Sequence, residues 1–248
     1  MPGRMTHFPH SFLISYHSEG TEPQTISTDT CSAVLTALTP DTEYTVSVST
    51  ILQRGGKSQP ATTTIHTDPP APGPLQFSSV SSESVSLCWG RPAELRGPQR
   101  FKVSYTEMLT AKVCSFVVSG LNVCVQDLMP GEEYEFGVST VGDSGRESCT
   151  VTATTCTGVP VPEELTVEMR RSSVAVAWKK PAGLDEVSYL LTLCSDGQCE
   201  QTISTKSLTF SFSNLQFDTE YTVSVCSVLA NGRQSKPMSR VVIMLGCM

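Results

Sequence analysis

Apolar residues recur at every second position in three stretches that follow the same kind of turn: Tyr44, Val46 and Val48; Tyr134, Phe136 and Val138; Tyr221, Val223 and Val225. Alternation turns one side of each stretch to a core and the other to water, which predicts three half-buried β-strands. A Leu stands six residues before each Tyr, at Leu38, Leu128 and Leu215, and the residues between spell a turn: Pro40-Asp41, Pro130-Gly131 and Phe217-Asp218. Pro presets φ, whereas Asp and Gly tolerate unusual backbone angles. The tyrosines are 90 residues apart (Tyr44 to Tyr134) and then 87 (Tyr134 to Tyr221), which is the period of a domain repeat.

The same period holds elsewhere. Phe12-Leu-Ile-Ser-Tyr16, Phe101-Lys-Val-Ser-Tyr105 and Tyr189-Leu-Leu-Thr-Leu193 recur at steps of 89 and 88 residues. Upstream, Val85, Leu87 and Trp89, and again Val174, Val176 and Trp178, alternate onto one face, and a Pro three residues after each Trp (Pro92, Pro181) ends the strand. Stepping the 89-residue Trp spacing back from Trp89 leads to position 0, so the first unit lacks its two opening strands and its core Trp. Proline clusters at Thr67-Asp-Pro-Pro-Ala-Pro-Gly-Pro74 and Thr157-Gly-Val-Pro-Val-Pro162 mark extended, semi-rigid connectors. The expected organisation is an all-β chain of three units set end to end, 1–67 (incomplete), 68–157 and 158–248.

A Trp in the second strand, a Tyr-x-Val-like third strand and Leu-x-Pro-(Gly or Asp)-x-x-Tyr-x-x-x-Val, repeated about every 90 residues with Pro-rich joints, resemble a tandem array of fibronectin type III domains. The resemblance covers nearly the whole chain. It departs from the family where the first unit has no first or second strand and where Phe217 replaces the usual corner Pro. It implies immunoglobulin-like two-sheet sandwiches, with Trp89, Trp178 and the Leu–Tyr corner pairs in their cores and each tyrosine hydroxyl bonded to the turn backbone. It further implies a non-catalytic spacer or protein-binding role, in an adhesion-type or receptor ectodomain or, alternatively, in a cytoplasmic scaffold segment of a large multidomain protein.

Composition narrows the partners more than it names them. A hydrophobic fraction of 39% with 17% charged residues fits folded domains. The net charge of −7, with both signs interspersed, argues against a nucleic-acid surface. No apolar run approaches the roughly 20 residues of a membrane span. The first ten residues lack the apolar core of a secretory signal. The expected partners are proteins, with no small-molecule substrate and no cofactor. His7 and His10 have no accompanying ligand pattern that would hold a metal.

Gly142-Asp143-Ser144-Gly145 repeats the letters around a chymotrypsin-like nucleophile, yet it falls between the last two strands of a unit, where such residues form a hairpin turn. This loop, together with its equivalents, is the best candidate for recognition, because hairpin tips on a rigid sandwich are free to vary. The candidate residues are Arg54 and Lys57 in the first loop, Asp143 and Arg146 in the second, and Asn231, Gly232 and Arg233 in the third, where Asn-Gly favours a type I′ turn.

The ten cysteines do not recur at equivalent positions, so the units share no disulfide framework. Most should be free thiols, and in an oxidising compartment two pairs could close: Cys88 with Cys124, facing outward on strands that the family resemblance makes neighbours, and Cys194 with Cys199, flanking a four-residue turn. The absence of any Asn-x-Ser/Thr sequon and the irregular cysteines favour a reducing compartment, whereas the family resemblance favours the cell exterior, and the sequence leaves both open.

Overall fold

The computed structural model describes residues 11–52, 55–93 and 98–245, and among them every regular element is a β-strand. The first unit comprises β1 (Ser11–Ser18), β2 (Gln24–Thr28), β3 (Glu43–Ile51) and β4 (Ala61–His66) in one antiparallel sheet ordered β2-β1-β3-β4. The second contributes β5 (Gln76–Val80), β6 (Val85–Cys88), β7 (Arg100–Glu107), β8 (Val113–Val118), β9 (Asn122–Val125), β10 (Glu133–Val141) and β11 (Val151–Cys156). These form two sheets, β5-β6-β9 and β11-β10-β7-β8. The third repeats that plan with β12 (Glu163–Arg170), β13 (Ser173–Lys179), β14 (Ser188–Ser195), β15 (Gln198–Thr205), β16 (Thr209–Ser213), β17 (Thr219–Val228) and β18 (Met238–Met244), as sheets β12-β13-β16 and β15-β14-β17-β18.

Alternation along the strands builds the cores. Val85, Leu87 and Trp89 meet Phe101, Val103, Phe136 and Val138 in the second unit, all essentially removed from water. Trp89 lies edge-on to Phe101 at 5.5 Å between ring centroids, and Trp178 lies edge-on to Tyr189 at 5.3 Å. Full burial of such side chains stabilises each sandwich by roughly 1.5–3 kcal/mol apiece.

Among its described residues, the first unit has one sheet and no second sheet across from it. Its residues 29–42 contain no strand. The strands at that place in the other units, β9 and β16, are laddered to β6 and β13, and the first unit has no counterpart of those partners among the described residues. Its inner face is therefore an open apolar groove lined by Phe12, Ile14, Ala33, Leu35, Val46 and Val48. Val46 is only half-buried and Val48 is exposed, although Phe136 and Val138 at the matching places of β10 are fully buried.

All three tyrosine corners close. The backbone N–H of Thr39 donates to the Tyr44 hydroxyl at 2.9 Å, that of Met129 to Tyr134 at 2.9 Å, and that of Gln216 to Tyr221 at 3.1 Å. Leu128 and Leu215 are buried beside them, and Leu38 is half-buried. Asp41, Gly131 and Asp218 hold the same left-handed backbone, at φ 48°, 68° and 56°. Asp218 therefore supplies the turn that Phe217 does not.

The turn at Asn231-Gly232 differs from the type I′ expectation. Type I′ needs positive φ at both central residues, and here only Gly232 (φ 81°) is left-handed. The N–H of Gly232 donates to Leu229 O at 2.9 Å, and that of Leu229 to Arg233 O at 2.9 Å. This is a type I turn followed by a left-handed Gly, and Gly145 closes the second loop in the same way, while in the first the left-handed Gly55 donates its N–H to Leu52 O at 2.9 Å.

Candidate functional site: the loop-to-corner joints

The polar residues of the second and third loops between the last two strands of a unit converge on the tyrosine corner of the unit before. At the first joint the Asp41 carboxylate accepts from the Asp143 N–H at 2.8 Å and from the Ser144 hydroxyl at 3.0 Å. The Arg146 guanidinium pairs with Asp68 in the connector at 3.3 Å, a half-exposed contact that contributes little alone. At the second joint the Asn231 side-chain amide donates to Gly131 O at 3.1 Å and to Glu132 Oε1 at 3.4 Å. Its carbonyl oxygen accepts from the Arg233 N–H at 3.0 Å, so the same side chain also fixes its own loop. Arg233 hydrogen-bonds the Cys156 thiol, and this contact, more than the nearby carboxylates, holds its pKa above the usual guanidinium value.

Steric fit reinforces these bonds. A Cβ on Gly142 would lie 2.4–2.6 Å from the Asp41 carboxylate atoms. A Cβ on Gly131 would meet Leu229 Cδ1. The carboxylate of Glu83, in the β5–β6 turn, reaches Gly183 of the third unit, where a Cβ would lie 2.6 Å from Oε1. Each joint thus presses the corner end of one unit against the loop end of the next.

Each connector opens with a threonine that clamps the corner. Thr67 Oγ1 accepts from the Thr42 N–H at 3.0 Å and donates to Thr39 O at 2.7 Å. Thr157 Oγ1 repeats this with the Glu132 N–H at 3.0 Å and Met129 O at 2.6 Å. The equivalent residue of the third unit, 23 positions after its corner Tyr, is Met244, which is buried in the core.

Several of the proposed site residues lie elsewhere. Arg54 falls outside the described residues. Lys57 is exposed and bridges Ile51 at the base of the first loop. Cys88 stands opposite Asn122 and Cys124 opposite Ser86, so the two thiols are diagonal neighbours. Cys194 and Cys199 face each other directly. The nine described cysteines carry free thiols. Ser144, the serine of the protease-like tetrad, commits its hydroxyl to Asp41. Among the described residues, no group of three metal-ligating side chains converges, and no helix is long and apolar enough to cross a membrane.

Comparison with known proteins agrees with this fold. The profile of the fibronectin type III domain matches residues 3–65, 70–154 and 160–243. The chain is 30% identical over 208 residues to chicken (Gallus gallus) tenascin-R, covering 81% of this chain and 15% of that protein. It is 31% identical over 238 residues to the mouse (Mus musculus) collagen alpha-1(XX) chain, covering 90% of this chain and 17% of that one. The human (Homo sapiens) netrin receptor DCC is 26% identical over 213 residues, covering 79% of this chain and 15% of that one. A two-domain fibronectin type III segment of chicken tenascin superposes with a TM-score of 0.56 at 20% identity, covering 70% of this chain and 99% of that segment, a likeness of fold alone. The chain spans less than a fifth of these full-length relatives, and it belongs to the fibronectin type III family as a tandem array of its domains.

Proposed function

We propose that this chain is a spacer and protein-binding segment of an adhesion-type or receptor ectodomain, without catalytic activity. The observation that carries the reading is the repeated loop-to-corner joint. Both joints commit the loop's polar groups to the preceding unit, so the loops serve to fix the direction of the array. A chain that holds its domains in fixed succession presents side surfaces to partners at set spacings, which suits adhesion better than turnover of a substrate. The similarity to tenascins, a collagen and a netrin receptor supports the same reading.

Exposed apolar side chains give such a surface in the second unit. Met108, Leu109, Val113 and Val117 lie along one hairpin, and β8 forms the edge of its sheet. An open edge with apolar side chains is suited to pairing with an extended segment of a partner protein.

The test is where the native protein can be reached. Intact expressing cells are treated with a membrane-impermeant lysine reagent, and the protein is recovered from cells and medium. Labelled protein on the surface, or protein in the medium, is expected. Labelling only after permeabilisation would refute the ectodomain reading and favour the cytoplasmic scaffold.

A further inference from the structure

The hairpin β14–β15 brings two thiols into register. Its two-residue turn, Asp196-Gly197, has positive φ at both positions, 46° and 76°, the type I′ geometry that fixes hairpin pairing. Ser195 opposite Gln198 closes the turn, and the next pair outward is Cys194 opposite Cys199. A β-bulge shifts the register on the far side of this pair, between Leu193 and Cys194, whereas the ladder is regular on the turn side. Pair type alternates there, so this pair is the non-hydrogen-bonded kind, with Cα atoms about 4.5 Å apart and side chains close together. A disulfide spans Cα separations of about 4.4–6.8 Å.

No other cysteine of the described ladders has this relation. Cys114 faces Tyr105, and Cys226 faces Leu190. Cys88 and Cys124 are diagonal, at about 7–8 Å by strand geometry, which is beyond ordinary disulfide reach. Leu193 points into the core, so the Cys194–Cys199 pair lies on the outer side of the sheet, with Cys194 half-buried and Cys199 exposed. β15 is an edge strand, so reagents can approach from solvent.

We propose that Cys194 and Cys199 are a modification site, a dithiol that exchanges with a small-molecule disulfide of the glutathione class to staple this hairpin. Cys199 loses its proton to solvent, and its thiolate attacks one sulfur of the small disulfide. That S–S bond breaks, and one small thiol leaves with the electron pair and takes up a proton. Cys194 then deprotonates and attacks the Cys199 sulfur of the mixed disulfide, releasing the second small thiol. Two protein thiols are oxidised while one disulfide is reduced to two thiols. Cys199 is exposed and Cys194 half-buried, so the small disulfide reaches Cys199 first, and a hydrogen bond with Cys199, more than burial, also holds the Cys194 pKa above the usual thiol value.

The test uses the full chain, incubated with oxidised glutathione, alkylated and digested without reduction. The expected product is a peptide bridged internally between Cys194 and Cys199, lighter by two hydrogens than the dithiol, with Cys226 still alkylated. In Cys194→Ser the bridge is replaced by a lasting glutathione adduct on Cys199. Wild-type protein with both thiols alkylated, or with a separate glutathione on each and no bridge, overturns the proposal. Circular dichroism checks the fold of the variant, and the wild-type result decides on its own.

Discussion

The carboxylate of Asp41 fills the space above Gly142 that any side chain at that position would need. At the second joint the sizes are exchanged: the corner residue is Gly131 and the loop residue is Leu229. A large corner residue meets a small loop residue once, and a small corner residue meets a large one once. The two joints therefore use one backbone arrangement with complementary fillings, and each corner fits its own loop better than the other.

Removing the Asp41 carboxylate isolates the first joint. In Asp41→Ala the Asp143 N–H loses its acceptor, at a cost of about 1 kcal/mol for a half-exposed charge-assisted bond. Hydrogen exchange at the Asp143 amide should rise roughly fivefold at that cost, with β10 amides unchanged. Gly142→Ala should give the same local signature by displacing the carboxylate. Unaltered Asp143 exchange in both variants would remove Asp41 from the joint.

At the second joint, Asn231→Asp replaces a donor with an anion facing Gly131 O and the Glu132 carboxylate. The contact becomes repulsive by about 1 kcal/mol at low ionic strength and recovers partly as salt screens it. NMR relaxation should show the second and third units of the variant tumbling with separate correlation times at low salt, and converging on wild type as salt is raised. Identical tumbling of variant and wild type at low salt would contradict the assignment.

β3 and β10 are equivalent central strands with equivalent ladders, but among the described residues a second sheet lies over the inner face of β10 and not over that of β3. Local opening is easier where fewer apolar contacts are lost. The amides of β3 should exchange faster than those of β10, by more than tenfold at matched positions, because one covering layer contributes more than about 1.4 kcal/mol. Equal protection would mean that the open face is covered in solution.

A high-pH transition should report Tyr105. Its pKa is pushed from 10.0 to about 12, chiefly by a hydrogen bond with Cys114 and then by burial. The folded state holds the phenol proton more tightly than the unfolded chain does. The resulting stability is whole below pH 10 and is lost as pH rises from 10 to about 12. Tyr105→Phe should lose stability less steeply across that window, and Tyr134 and Tyr189, both raised by burial, together with the raised thiols of Cys194 and Cys226 contribute to the slope that remains. An unchanged slope would exclude Tyr105 as the titrating group.

What the sequence made legible is what repeats within a unit. Tyr44, Tyr134 and Tyr221 recur with their turns because each must bury a ring and bond a turn amide, and the alternation around them assigns the core directly. Asp41 meeting Asp143 left no such mark, because the partners stand 102 residues apart and neither joint repeats the other's side chains. Thr67 and Thr157 were visible only as the first residues of Pro-rich connectors. Their clamping hydroxyls become apparent once the connector is folded back against the corner. Asn231-Gly232 carries a strong local turn preference, yet the requirement to place the Asn231 amide on Gly131 goes with the alternative turn.

The joints are the centre of this account, and small-angle X-ray scattering of the full chain tests them most directly. Wild type should fit one narrow distribution of extended shapes. Asp41→Ala combined with Asn231→Ala should broaden that distribution and shift its mean to shorter maximum dimensions, while circular dichroism stays unchanged. If wild type is already as broad as the double variant, the loops do not fix one unit against the next, and the reading of the chain as a directed spacer fails.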